Sequence, residues 1–254
     1  MGDHSTVIAL SGKGGVGKTS LSAAIVRILT EEKPNHKILA IDADPAVGLS
    51  VALGIEVGKT LDQIRLEVAK DVTEGLRETE DILAEAKFRI FDAMDESRGF
   101  AFLAIGRPEA AGCYCAINTY LRQVISMTAG EFDYVVIDGE AGIEQINRRV
   151  MERVTHLLLV TDQSKKGMEI IRTIHDVSKE LVMADHVGAV LNRVLYPEKI
   201  DYDRIGEIPL VAVIGPDNVL TEHDIEGLST FSLPADAGIL KGAGEILRNM
   251  EILP

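Results

Sequence analysis

The chain has 254 residues, and its 26 Lys and Arg against 40 Asp and Glu give a formal net charge of −14. Because nucleic acids and anionic membranes attract basic surfaces, this charge argues against both kinds of partner. Hydrophobic residues form 46% of the chain, which is enough for a sizeable core and excludes a mainly disordered state. Cys113 and Cys115 are the only cysteines, so a disulfide-stapled secreted fold is excluded. We therefore expect a cytoplasmic protein that forms a single domain over residues 1–254.

Short apolar runs alternate with longer segments of helical periodicity. Most of the runs are continuously apolar, which is typical of strands buried on both faces of a parallel sheet. Leu21, Ile25 and Leu29 repeat at helical spacing after the first run, and the segment from Lys165 to Met183 shows the same period. The alternation predicts an α/β fold with a doubly wound, mostly parallel sheet. The predicted strands are Val7–Ser11, Ile38–Ile41, Phe100–Ile105, Tyr134–Ile137, His156–Val160, Val187–Leu191 and Leu210–Ile214.

Two segments differ from this alternation. The stretch from Thr60 to Ser97 is charged and weakly patterned, and we predict that it forms a helical insertion on the sheet. The last residues, from Gly242 to Pro254, predict a short closing helix.

The segment after the first predicted strand matches the phosphate-binding pattern G-x-x-x-x-G-K-[ST]. Its glycines allow successive backbone N–H groups to surround phosphate oxygens at the start of a helix. In this pattern Lys18 reaches the β- and γ-phosphates, and the Thr19 hydroxyl binds Mg²⁺. We therefore predict a P-loop NTPase that binds a nucleoside triphosphate with Mg²⁺. The candidate residues are Gly12, Lys13, Gly14, Gly15, Val16, Gly17, Lys18, Thr19 and the adjoining Ser20.

Acidic residues follow two of the predicted strands. Asp42 and Asp44 come after the second strand, and Asp138 closes the fourth. In an open α/β sheet these strand ends face the ligand crevice, so the first two carboxylates could serve Mg²⁺ and the attacking water. Asp138 is typical of a Walker B aspartate that holds the Mg²⁺ shell. An aspartate at a strand end also commonly caps a turn, and the presence of the phosphate loop favours the nucleotide-site interpretation.

Lys13, a second lysine inside the loop, resembles the signature lysine of the deviant Walker A family, which includes the MinD, ParA and nitrogenase iron-protein ATPases. The resemblance implies an ATP hydrolase that binds ATP or ADP and forms an ATP-dependent homodimer. In that dimer Lys13 reaches the phosphates held by the partner subunit. It also implies that Asp44 orients the attacking water, which makes Lys13, Lys18 and Asp44 the candidate catalytic residues. Gly142 resembles the family glycine whose N–H senses the γ-phosphate.

Recognition of the base is predicted from the same resemblance. Asn192 ends the sixth predicted strand, where family members place an adenine-contacting asparagine. Pro216 and Asp217 lie in a segment that resembles the loop lining the base. Ordinary turn chemistry also explains these residue types at strand ends. The expectation of adenine depends on the family, since the guanine motif N-K-x-D is absent.

Cys113 and Cys115 form a Cys-x-Cys pair, whose thiolates suit Zn²⁺, Ni²⁺, Cu⁺ or an iron–sulfur cluster. A closed tetrahedral site needs four ligands, and a two-fold dimer would supply four thiolates. The alternative is a pair of small buried cysteines without a ligand role.

The phosphate loop, the Cys-x-Cys pair and the segment from Asp138 to Glu144 together resemble the CooC-type maturation ATPases. That family inserts nickel into carbon monoxide dehydrogenase or, in a close relative, acetyl-CoA synthase. The resemblance implies a homodimer with Ni²⁺ or Zn²⁺ at its interface and a client nickel enzyme. The Thr60–Ser97 segment matches this family poorly.

Two other functions remain open at this point. One is a cluster-bearing redox ATPase like the nitrogenase iron protein, although that family uses two cysteines that are far apart in sequence. The other is a MinD/ParA-type positioning ATPase, which the acidic charge disfavours because such proteins bind DNA or membranes.

Overall fold

The computed structural model describes residues 5–44, 48–73, 85, 88–106, 125–126, 128–139, 153–181 and 183–254. Within these ranges the strands form one sheet in the order β3-β4-β2-β5-β1-β6-β7-β8, and only the β3–β4 pair is antiparallel. The strands are β1 (Thr6–Gly12), β2 (Ile38–Asp42), β3 (Asp95–Ser97), β4 (Phe100–Ala104), β5 (Tyr134–Asp138), β6 (Arg153–Thr161), β7 (Met183–Leu191) and β8 (Leu210–Val213). The helices are α1 (Lys18–Glu32), α2 (Gly48–Leu53), α3 (Leu61–Thr73), α4 (Lys165–Leu181), α5 (Asn218–Glu226) and α6 (Gly238–Asn249).

Successive strand residues enter opposite layers of the core, because side chains alternate across a sheet. In β1, Val7 and Ala9 pack in one layer with α3 and α4, and Ile8 and Leu10 pack in the other with α1, α2 and α6. Helix α1 lies between the sheet and α6, so its residues from 21 to 29 are all buried. The doubly wound α/β fold predicted from the sequence is therefore confirmed.

All seven predicted strands are present, and their ends differ from the predicted ones by at most four residues. The predicted helical insertion from Thr60 to Ser97 is present in the described residues as α3 and a helical turn at 88–92, and its end differs from the prediction because Asp95–Ser97 forms strand β3. Among the described strands, this short and charged segment pairs only with β4 at the sheet edge, and it lacks the apolar pattern of a buried strand.

Two predicted helix boundaries also needed correction. Helix α4 ends at Leu181, and Met183 already starts β7. The closing helix α6 runs from Gly238 to Asn249 and stops before the last residues, which form a turn and an extended end. None of the described helices is long and apolar enough to cross a membrane.

The parallel strands bring residues from distant parts of the sequence to one edge of the sheet. The phosphate loop follows β1, Asp42 ends β2, Asp138 ends β5 and Asn192 follows β7. Because parallel strands share the same direction, all four lie at the carboxyl edge, where open α/β sheets bind their ligands.

Candidate active site

The phosphate loop has two positions at which a side chain would not fit. Gly12 has a φ of +141°, and a Cβ atom there would lie 2.0 Å from the carbonyl oxygen of Val160 on β6. Gly17 has a φ of +86°, and a Cβ atom there would lie 2.8 Å from Nδ2 of Asn192. Gly17 precedes α1, whose first turn has no side-chain cap and no acidic residue. Such a helix start favours a bound anion, because its N–H groups and the helix dipole attract negative charge.

The two lysines of the loop are held in different ways. Lys18 is 9% exposed, and its Nζ donates to the carbonyl oxygens of Lys13 at 3.1 Å and Gly12 at 3.5 Å. Lys18 also lines the cavity inside the loop, as expected of a lysine that binds phosphate. Lys13 is instead ion-paired within its own chain, with its Nζ 2.5 Å from Oδ2 of Asp162.

Asp42 is fully buried at the end of β2, where it fixes the backbone that follows. Its Oδ1 accepts a hydrogen bond from the N–H of Asp44 at 3.0 Å, and its Oδ2 accepts one from the N–H of Leu49 at 2.8 Å. Asp44 lines the phosphate cavity. Asp42 therefore positions the backbone that carries Asp44. Its role in binding Mg²⁺ stays a prediction.

Asp138 is the register partner of Asp42 on the neighbouring strand β5. Its carboxylate accepts hydrogen bonds from the hydroxyls of Thr19 and Ser22, the latter at 3.0 Å. Burial and the nearby Asp138 carboxylate raise the pKa of Asp42 to about 7, and burial raises the pKa of Asp138 to about 6. Two buried carboxylates next to a hydroxyl are hard oxygen ligands with excess negative charge, so the residues present fit Mg²⁺.

A clasp formed by Asn192 and Arg193 holds the tip of the phosphate loop. Asn192 Nδ2 donates to the carbonyl oxygen of Val16 at 2.8 Å, and Arg193 Nη1 donates to that of Gly15 at 3.0 Å. Arg193 has a φ of +59°, a left-handed conformation that is unfavourable for a residue with a side chain. The structure therefore places Asn192, 3% exposed, in a bracing role that the adenine prediction did not include.

Arg193 was missed by the sequence analysis. Its position next to Asn192, at the same strand end, marked it as a candidate. No residue pattern, however, predicts its hydrogen bond to the Gly15 carbonyl oxygen. Arg193 lines both the phosphate cavity of about 490 Å³ and a second cavity of about 320 Å³. The second cavity lies where a base would be expected, and its lining includes Gly17, Ser20, Asn192, Pro216 and Asp217.

Asp217 has a structural role in addition to lining the second cavity. Its Oδ1 accepts a hydrogen bond from the N–H of Leu220 at 3.1 Å, which caps α5. Its Oδ2 accepts a hydrogen bond from the N–H of Ile239 at 2.9 Å, in the first turn of α6. One carboxylate therefore joins the starts of two helices, while Pro216 is exposed beside it.

Three predicted site residues, Cys113, Cys115 and Gly142, lie outside the described residues. Within the ranges that the structure describes, no group of three or more His, Cys, Asp or Glu side chains is arranged to hold a metal ion.

Comparisons with known proteins identify the family of this chain. Residues 7–230 match the family model described as the CobQ/CobB/MinD/ParA nucleotide binding domain. The chain is 35% identical over 249 residues to an uncharacterized ATP-binding protein of Methanocaldococcus jannaschii, covering 94% of this chain and 96% of that protein. It is 27% identical over 242 residues to the carbon monoxide dehydrogenase accessory protein CooC of Rhodospirillum rubrum, covering 89% of each. The fold is similar to that of the septum site-determining protein MinD of Pyrococcus horikoshii OT3 complexed with Mg-ADP, with a TM-score of 0.67, 23% identity and coverage of 95% and 94%.

The phosphate loop, the buried Lys18 and the paired carboxylates at the carboxyl edge define a P-loop nucleoside triphosphatase. The chain belongs to the CobQ/CobB/MinD/ParA nucleotide-binding family, and it is an ATPase. The family membership implied by Lys13 in the sequence is thereby confirmed.

Proposed function

We propose that this ATPase handles a soft metal ion as cargo. In the proposal, an ATP-bound homodimer binds one Ni²⁺ or Zn²⁺ between the Cys-x-Cys pairs of its two chains. Hydrolysis then opens the dimer and releases the metal to a client nickel enzyme, either a carbon monoxide dehydrogenase or an acetyl-CoA synthase. One observation carries the proposal: the only two cysteines form a Cys-x-Cys pair in a chain whose similarity to CooC spans 89% of both proteins.

In the proposal, residues at the carboxyl edge of the sheet carry out ATP hydrolysis. Lys18 neutralises phosphate charge from inside the loop, and Asn192 and Arg193 keep the loop in shape. Asp44 orients the attacking water, and Asp42 holds Asp44 in place through its backbone N–H. Thr19 and Asp138 would hold Mg²⁺, which offsets the negative charge of the phosphates when it is bound.

In the proposal, closure of the dimer couples ATP binding to metal binding. Lys13 reaches the partner's phosphates only when two protomers face each other, so its contact favours the closed dimer in the presence of ATP. The same two-fold arrangement brings Cys113 and Cys115 of both chains together, which gives the four thiolates that a soft metal ion prefers.

Nickel binding tests the proposal directly. Equilibrium dialysis of the full chain with Ni²⁺ and a non-hydrolysable ATP analogue should give about one bound ion per two chains. Cys113→Ser and Cys115→Ser should each abolish this binding and leave nucleotide affinity unchanged, since the phosphate loop lies elsewhere in the sequence. His186→Ala is the control, because His186 stacks on His156 at 4.9 Å and is an alternative site for adventitious nickel.

Two results would contradict the proposed cargo site. One is nickel that is retained at wild-type stoichiometry in Cys113→Ser. The other is a cysteine-dependent visible absorption band with bound iron in protein purified without oxygen, which would support the cluster-bearing redox ATPase instead.

A MinD/ParA-type positioning ATPase is the second candidate, because the structural match to MinD extends over 95% of this chain. Its test is ATP-dependent co-sedimentation with DNA or with anionic lipid vesicles. The net charge of −14 predicts that neither will occur at physiological salt. Co-sedimentation without cysteine-dependent nickel binding would favour the positioning function.

A further inference from the structure

Lys13 is held by a carboxylate of its own protomer. Its Nζ lies 2.5 Å from Oδ2 of Asp162 and 3.5 Å from Oγ of Ser164. The side chains of the ion pair are 28% and 29% exposed, so solvent screens them less than a fully exposed surface pair. Burial acts to raise the pKa of Asp162, but the hydrogen bonds from Lys13 and Ser164 outweigh it and lower that pKa, which keeps the carboxylate charged.

Asp162 is itself fixed by the turn between β6 and α4. Its Oδ1 accepts hydrogen bonds from the backbone N–H of Ser164 at 3.1 Å and from the Ser164 hydroxyl at 2.5 Å. The Ser164 hydroxyl in turn accepts a hydrogen bond from the N–H of Gly167 at 3.0 Å. A Cβ atom at Gly167 would lie 2.4 Å from Oδ1 of Asp162, so the first turn of α4 packs closely on this carboxylate. The acceptor for Lys13 is therefore built into the fold.

We propose that Asp162 is a positioning residue that retains Lys13 in its own protomer until nucleotide phosphates compete for the ammonium group. The proposal rests on the proposed role of Lys13 in the nucleotide-dependent dimer. A lysine bound to Asp162 cannot also reach the phosphates of a partner, so the ion pair must break before the dimer closes. The strength of the Lys13–Asp162 pair thus sets the ATP concentration at which dimers form.

The direct test is the concentration of a non-hydrolysable ATP analogue that gives half-maximal dimer in light scattering. Asp162→Asn removes the charge of the acceptor, and it should lower this concentration about tenfold, because a charge-assisted contact no longer opposes release. Asp185→Asn is the matched control, since it removes the same charge from an ion pair with Arg153 at the opposite end of the β6–β7 pair. It should leave the concentration unchanged.

A double-mutant cycle separates retention of Lys13 from a general effect of charge. In a Lys13→Gln background, Asp162→Asn should have no effect on nucleotide affinity, whereas a change in the long-range field would persist without the lysine. Asp162→Ser repeats the test if the asparagine variant does not fold, because its hydroxyl can still accept the Ser164 N–H.

The outcomes test the role of Lys13 and the role of Asp162 separately. Normal dimerisation of Lys13→Gln would overturn the proposed role of Lys13 itself. The role of Asp162 alone would be overturned by a combination of two results. Lys13→Gln would lose the dimer, and folded Asp162→Asn or Asp162→Ser would show an unchanged or raised half-maximal concentration of the ATP analogue. An equal decrease in Asp185→Asn would also overturn it.

Discussion

Asp42 and Asp138 are register partners at the carboxyl ends of β2 and β5, and they are only 0% and 1% exposed. Burial disfavours the charged form of each carboxylate, and the negative charge of Asp138 adds to this effect at Asp42. Ionising both groups therefore places two buried negative charges close together, at the position where a divalent cation and phosphates would be bound. Such an arrangement stores an electrostatic cost in the unliganded protein that a bound cation relieves.

We expect the metal-free protein to lose stability as the pH rises from about 4 to about 7. Unfolded Asp residues lose their protons near pH 3.8, whereas folded Asp42 and Asp138 keep theirs up to about 7 and about 6. The folded state holds more protons in this interval, so the free energy of unfolding falls with pH and levels off above it. Asp138→Asn should reduce this pH dependence by on the order of 2 kcal/mol.

Urea unfolding in EDTA at pH 4.5 and pH 8 measures this effect. The asparagine keeps an acceptor for the Ser22 hydroxyl, so the comparison isolates the charge. Asp185→Asn, which removes an exposed carboxylate paired with Arg153, should behave as wild type. The same pH dependence in wild type and Asp138→Asn would show that the buried pair does not carry the electrostatic cost.

Gly12 and Gly14 provide a matched pair of substitutions in the phosphate loop. A Cβ atom at Gly12 would overlap the Val160 carbonyl, whereas one at Gly14 would meet no atom within 4 Å. Gly12→Ala should therefore lower the free energy of unfolding by about 3 kcal/mol or more, and Gly14→Ala should change it by less than about 1 kcal/mol. Denaturant unfolding without nucleotide measures both, and equal effects would argue against the close approach of β1 and β6.

A substitution at Asn192 distinguishes between a role in adenine recognition and a role in bracing the phosphate loop. The bond from Nδ2 to the Val16 carbonyl predicts that Asn192→Ala weakens binding of ATP, GTP and inorganic tripolyphosphate by similar factors, about tenfold each. An adenine contact predicts instead that only ATP binding falls. Calorimetric titration with the three ligands distinguishes the two roles, and a loss confined to ATP would contradict the bracing role.

A substitution at Asp44 should impair ATP hydrolysis without impairing ATP binding. It lines the phosphate cavity and is held by Asp42 through its backbone, so Asp44→Asn keeps the turn but removes the carboxylate that orients water. We expect ATP affinity to stay within about threefold of wild type and turnover to fall by about 10² or more. Steady-state phosphate release measures this, and unchanged turnover would exclude Asp44 from the reaction.

The sheet and the positions of the site residues could be predicted because they follow from short-range patterns. Continuous apolar runs identify buried parallel strands, and their shared direction places Asp42, Asp138 and the phosphate loop at one edge. Strand β3 escaped prediction because Asp95 and Glu96 make an edge strand that buries little apolar surface.

The detailed partners in the site could not be predicted in the same way. Lys13 meets Asp162, and Asn192 meets Val16, across separations of 149 and 176 residues. Such contacts depend on the packing of β1 against β6 and on side-chain rotamers. Neither of these can be predicted from sequence periodicity. The same limit applies to Asp217, whose carboxylate joins two helix starts.

The coupling of metal release to ATP hydrolysis is the most direct test of the proposed function. Wild-type dimer loaded with radioactive Ni²⁺ and ATP without Mg²⁺ would be mixed with Mg²⁺ and a chelating dye, and phosphate and free nickel would be followed together. The proposal predicts that nickel appears at the rate of phosphate release in wild type and that both slow down by the same factor in Asp44→Asn. Nickel release that is equally fast in wild type and Asp44→Asn would contradict it.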